Sequence, residues 1–178
     1  MEDESKRYPG ELASPQQVHD LAEAYCKAAH VLLQLGRPGK PLTRAPFRLS
    51  AIHAIELYLN ALLLKAGRPP HEIRRLQHDL GKRTALAEEV GLSLRKRTAE
   101  HLRSLSDERE YLVTRYGPEL AATASQINRL TATLDEVAKK VTSLLSRSPA
   151  KSSSLKITTV DSVVGSRVPA RPDANQVA

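Results

Sequence analysis

Residues 46–67 read PFRLSAIHAIELYLNALLLKAG. Phe47, Ala51, Ile52, Ala54, Ile55, Tyr58, Leu59, Leu62 and Leu63 recur at helical spacing, and in the second half apolar residues cover most of the circumference. A helix that is apolar on nearly every side is the central one of a bundle. His53, Glu56, Asn60 and Lys65 interrupt the run, so no stretch approaches the ~20 apolar residues of a membrane span. Arg68-Pro69-Pro70 ends the helix, since proline removes a donor and clashes with the preceding turn.

Working outward, Ser14-Pro15 is a helix start, with Ser14 as N-cap and proline at the first helical position. Val18, Leu21, Ala22, Tyr25, Ala29 and Leu32 then make one apolar face, and Gly36 stops the helix. The basic loop GRPGKPLTRAP follows. Residues 71–91 hold one or two short helices around Ile73, Leu76, Leu80 and Leu86, with Asp79 as N-cap of the second. Leu94, Thr98, Leu102 and Leu105 give another face, and Ser106-Asp107 marks a kink. Tyr111, Leu112 and Tyr116 lead to the Gly117-Pro118 break. A last long helix is expected from Pro118 to Leu145, carried by Leu120, Ala124, Ile127, Leu130, Leu134, Val137, Val141 and Leu144. Beyond Ser146 the chain turns Ser-, Pro- and Arg-rich, with one apolar patch, LKITTVDSVV. The pattern predicts an all-α fold, an antiparallel four- to five-helix up-and-down bundle over residues 14–145. A flexible N-terminus (1–13) precedes it and a disordered basic tail (146–178) follows.

Composition agrees. The 178 residues contain five Tyr, one Phe and no Trp, so the core is built from Leu, Ala, Val and Ile. One cysteine, Cys26, excludes an intrachain disulfide and a Cys-based zinc site, and fits a reducing compartment. The acidic start MEDESKRYPGELASP lacks the order of a signal peptide, and a cytoplasmic protein is expected, away from membranes. No metal and no cofactor are expected, because His19-Asp20, His71-Glu72 and His78-Asp79 do not place two ligands on one helix face.

The net charge of +7 is unevenly spread. Residues 36–103 carry fourteen bases against six acids, whereas residues 1–35 carry three against six. Arg37, Lys40, Arg44 and Arg48 have no acid among them. Arg74, Arg75, Lys82, Arg83, Arg95, Lys96 and Arg97 follow. Such a cluster suits a polyanion such as RNA bound with salt-sensitive affinity, or else a solvated face that keeps the protein soluble. The scarcity of aromatics argues against base stacking as the means of holding RNA.

Three segments resemble the HEPN superfamily (higher eukaryote and prokaryote nucleotide-binding domains): HAIELYLNALLLKAG at 53–67, HDL at 78–80, and TRYGP at 114–118. Order and spacing agree over roughly residues 14–145, although many relatives have Lys where Asn60 stands. The resemblance implies a helical bundle that commonly dimerises and that acts in toxin–antitoxin, phage-defence or RNA-processing systems. It singles out Glu56, His78, Asp79, Arg115 and Tyr116 as motif residues. Catalytic relatives are metal-independent RNases that use an Arg and, four to six residues on, a His. Here Arg115 has no His after it. Arg48 with His53 and Arg95 with His101 meet the spacing, as often as chance allows in so arginine-rich a chain. His is a general acid or base near neutral pH, and Arg stabilises charge on a phosphate under attack.

The expectation is therefore a non-catalytic RNA- or nucleotide-binding or interaction module of a bacterial toxin–antitoxin or defence system. It would be homodimeric, with an antitoxin or nucleotidyltransferase-like partner. The alternatives are an RNase toxin using one of the Arg/His pairs and a dimerising adaptor. A buried Glu56 needs a partner, for which Arg115 is the candidate. Tyr116 should pack on the bundle, and Cys26 should be a small core or boundary residue.

Overall fold

A computed structural model describes residues 8–147, and among these every regular element is helical. Seven α-helices follow in order: α1 (Pro15–Leu35), α2 (Ala45–Lys65), α3 (Pro70–Arg75), α4 (Leu80–Glu89), α5 (Lys96–Asp107), α6 (Glu110–Tyr116) and α7 (Ile127–Ser146). Short 3-10 turns cover Pro41–Arg44 and Pro118–Leu120. The all-α class holds, but the simple up-and-down bundle of four or five helices does not. The helix α2 packs not only on α1 but on α4, α6 and α7, far along the chain. The physical reason lies in residues 66–126. Pro69-Pro70, Gly91 and Gly117-Pro118 cut this stretch into helices of 6 to 12 residues. At 1.5 Å per residue these are too short to run the length of the 21-residue α2, so α3, α4 and α6 clad it piecewise and α5 packs on α4, α6 and α7.

The reading of α2 as the central helix is correct. Twelve of its residues are buried, among them Phe47, Ile55, Tyr58, Leu59 and Leu63, with Arg48 and Glu56. Pro41–Lys65 is long and apolar enough to cross a membrane by length and composition, contrary to expectation, yet 67% of its apolar window is buried inside the domain. Leu102, Leu105, Leu130, Leu134, Val137 and Val141 complete the core around it.

The caps follow the local chemistry. Ser14 and Gln17 form a reciprocal capping box: the Gln17 N–H donates to Ser14 Oγ (3.2 Å) and the Ser14 N–H to Gln17 Oε1 (2.9 Å). The Asp79 carboxylate accepts from the Lys82 N–H (2.9 Å) and starts α4. At the other end of α1, Arg44 Nη1 donates to the Leu33 carbonyl (2.8 Å). Its side chain lies where a Cβ on Gly36 would be, 2.1 Å from Arg44 Cδ.

The last helix begins at Ile127, nine residues later than expected. The Ser125 N–H donates to Glu110 Oε2 (2.9 Å), and the Ser125 carbonyl accepts from Arg48 Nη2. Arg48 also pairs with Glu110, and both side chains are buried. This long-range triad holds the chain out of helix up to Gln126. The tail beyond Arg147, including LKITTVDSVV, lies outside the described residues.

Candidate functional site

Glu56 projects from the middle of α2 and is 9% exposed, so its charge requires compensation. It is supplied from the α3–α4 segment. Arg83 Nη2 lies 3.2 Å from Glu56 Oε1, and His78 Nδ1 lies 3.0 Å from Glu56 Oε2. Arg115 is not the partner. It is exposed, with its guanidinium carbon 5.6 Å from the Tyr111 ring centroid.

Arg83 is 2% exposed. Nε donates to Asn60 Oδ1 (2.8 Å), and the two Nη atoms face the Ile73, Leu76 and Asp79 carbonyls at 3.4–3.5 Å. Burial lowers its pKa, and Glu56 and Asp79 oppose that shift. Arg83 therefore ties α2 to α3 and α4 from inside, and offers no face to a polyanion. Asn60 is what receives its Nε.

A carboxylate only accepts, so the proton of His78 sits on Nδ1 and Nε2 is left without a protein partner among the described residues. The imidazole packs on Tyr111, with centroids 4.1 Å apart. Both rings line a cleft of about 430 Å³ between the α3–α4 turn and the α5–α6 turn. Arg75, Lys82 and Arg109 bring cations to it from three elements. Asp79 and Asp107 bring carboxylates, of which Asp79 is held by Lys82 Nζ at 3.1 Å.

Two non-glycine residues among those described have positive φ: Gln77 (50°) and Arg109 (51°). Both line this cleft. The left-handed conformation costs an L-residue ~1–2 kcal/mol, and such strain concentrates at functional sites.

The other motif and basic residues are distributed as follows. Asp79 serves as the α4 cap, and Tyr116 is 74% exposed rather than packed on the domain. Arg37 and Lys40 are exposed in the α1–α2 connection, and Arg44 is committed to the α1 terminus. Arg48 is buried against Glu110, so like Arg83 it is withdrawn from any surface contact. Arg74 covers the Tyr8 ring at 4.3 Å. Lys96 and Arg97 are exposed on α5.

Neither spaced Arg/His pair is assembled. Arg48 faces Glu110 and Ser125, whereas His53 meets the Tyr25 ring edge-on at 4.5 Å. Arg95 Nε donates to Glu136 (2.7 Å), whereas His101 Nδ1 contacts Thr133 Oγ1 (2.8 Å) with its Nε2 buried and unpartnered. Burial lowers the pKa of both histidines. The charges of Arg115 and His78 lower that of His53 further, against Glu56. Cys26 is half-buried on α1, and burial raises its thiol pKa, as suits an unreactive boundary residue.

Sequence reading passed over Gln77, Asp107, Arg109 and Tyr111 as site residues. The polar run after Ser106 signalled a kink, and that kink is one wall of the cleft.

Comparison of the chain with protein-family models, with curated proteins and with solved structures returned no match.

Proposed function

We propose that this domain is a binding module for a polyanion, RNA or a nucleotide, of the HEPN type, and that the cleft at His78 is its site. The reading rests on one observation: Arg75, Lys82 and Arg109 line one cleft with an imidazole positioned by a buried carboxylate. The Arg/His pairs that the RNase reading relied on are engaged elsewhere, which favours binding over cleavage. The family resemblance adds the setting, a bacterial toxin–antitoxin or defence system, with a homodimer and an antitoxin or nucleotidyltransferase-like partner. The test is a fluorescence-anisotropy titration of single-stranded RNA over a rising salt series. Affinity should fall steeply with salt. A flat, salt-independent response would remove the RNA reading and leave the adaptor.

The Glu56–His78 pair favours a second reading, a metal-independent RNase with His78 as the general base. A carboxylate on Nδ1 fixes the tautomer and leaves Nε2 to take a proton. Incubation of labelled RNA with wild type and His78→Gln separates the two readings. Cleavage by wild type alone supports catalysis, and intact RNA in both supports binding.

A further inference from the structure

We propose that the His78 cleft is a receptor for a terminal phosphate monoester on a single nucleotide, whether the phosphorylated end of an RNA strand or a free mononucleotide. This deepens the binding reading above and rests on it.

Size is the first argument. The cleft measures about 430 Å³, near the small end of the ~300–1,000 Å³ that ligand pockets span. Grooves that track single strands engage ~4–16 nucleotides. A pocket of this volume accepts one nucleotide and not a run of them.

Charge is the second. Arg75, at the end of α3, and Arg109, just before α6, have no acidic partner among the described residues. Guanidinium forks match phosphate oxygens two at a time. Lys82 stands beside them, paired with Asp79. Two unpaired guanidinium groups match a phosphate monoester, with up to two negative charges, better than the single charge of an internal diester. Asp107 repels a second phosphate but accepts from hydroxyls, so it suits the ribose side of one nucleotide.

The aromatic rings point the same way. Tyr111 is already packed on His78 and faced by the Arg115 guanidinium. The protein's own groups occupy the aromatic surface, so recognition falls to the phosphate rather than to a stacked base.

The experiment uses the full chain and anisotropy with four probes: one oligoribonucleotide with a 5′-phosphate, with a 3′-phosphate and with neither, and adenosine monophosphate as competitor. One phosphorylated form should bind about tenfold tighter than the unphosphorylated strand, the gain of a charge-assisted pair. Arg75→Ala and Arg109→Asn should each bring the phosphorylated strand down to the affinity of the unphosphorylated one, which they weaken less. Asparagine is chosen because it tolerates the left-handed backbone at that position. Competition by the mononucleotide at similar concentrations assigns the site to free nucleotides as well, and its failure to compete assigns the site to strand ends. Equal binding of all three strands, with no mononucleotide binding, overturns this proposal while the polyanion reading stands. No binding of any probe overturns both.

Discussion

Nδ1 of His78 lies 3.0 Å from Oε2 of Glu56, a buried carboxylate 22 residues earlier on the central helix. The same carboxylate meets the buried Arg83 guanidinium through its other oxygen at 3.2 Å. One acid therefore does two things: it neutralises an interior arginine, and it fixes the tautomer of an imidazole that lines a cationic cleft. Structure and site share this residue.

That sharing sets the first expectation. Glu56→Ala leaves Arg83 buried without its counter-charge and should cost about 3–5 kcal/mol in urea denaturation. Arg115→Ala removes an exposed side chain and should change stability by no more than about 0.5 kcal/mol. Similar losses in the two variants would show that the buried Arg83 does not depend on Glu56.

His101 gives a pH dependence. Its pKa is lowered from 6.5, first by burial and then by the Arg129 and Arg48 charges, against Glu110 and Glu108. Nδ1 contacts Thr133, and Nε2 is buried without a partner. The unfolded chain therefore binds the proton more readily than the folded one. Stability is complete above 6.5 and is lost as pH falls from there through the lowered folded value. His53 is shifted the same way. Urea midpoints at about pH 7.5 and about pH 5.5 should differ in wild type and differ less in His101→Gln. An unchanged difference in the variant would clear His101 of the effect.

Glu136 behaves in the opposite sense. Burial alone would raise its pKa, but hydrogen bonds from Thr98, the Arg95 backbone, Lys140 and the Arg95 side chain bring it down to about 2. Its contribution is present above 4.5 and disappears as pH falls toward 2. Thr98→Val removes the 2.6 Å bond to Oε2 and should cost about 1–2 kcal/mol near neutral pH, while raising the carboxyl pKa in a carbon-13 NMR titration. A titration curve identical to wild type would contradict this.

Gln77 tests the strain at the cleft. At φ 50° a side chain is disfavoured, and Gln77→Gly should raise stability by up to about 1 kcal/mol after the glycine's entropy cost. Gly91→Ala, at φ 100°, should lower stability. A loss in Gln77→Gly would mean that its side chain makes a stabilising contact that outweighs the strain.

Much of this architecture is legible in the sequence. The all-round apolar pattern of 46–67 identifies α2 as the central helix, and Ser14 and Asp79 announce their caps by residue type. The fold between α2 and α7 is less so. The Ala-rich stretch at 121–124 favours helix locally, and what keeps it out of helix is the Arg48–Glu110–Ser125 triad, whose members are up to 77 residues apart. The site divides the same way. Glu56 and His78 stand out through the family likeness, and Arg75 and Lys82 through charge. Charge counting, however, cannot distinguish the buried guanidinium of Arg83 from the exposed one of Arg75. Arg109 and Tyr111 carry no periodic signal, because a left-handed turn between two short helices places them.

The most direct test of the cleft is a heteronuclear NMR titration of the full chain with a phosphorylated single-stranded RNA. Amide shifts should concentrate in residues 75–82 and 106–112 and should be lost in an Arg75→Ala/Arg109→Asn double variant. Shifts confined to other surfaces, or unchanged in that variant, would contradict the assignment of the cleft at His78 as the binding site.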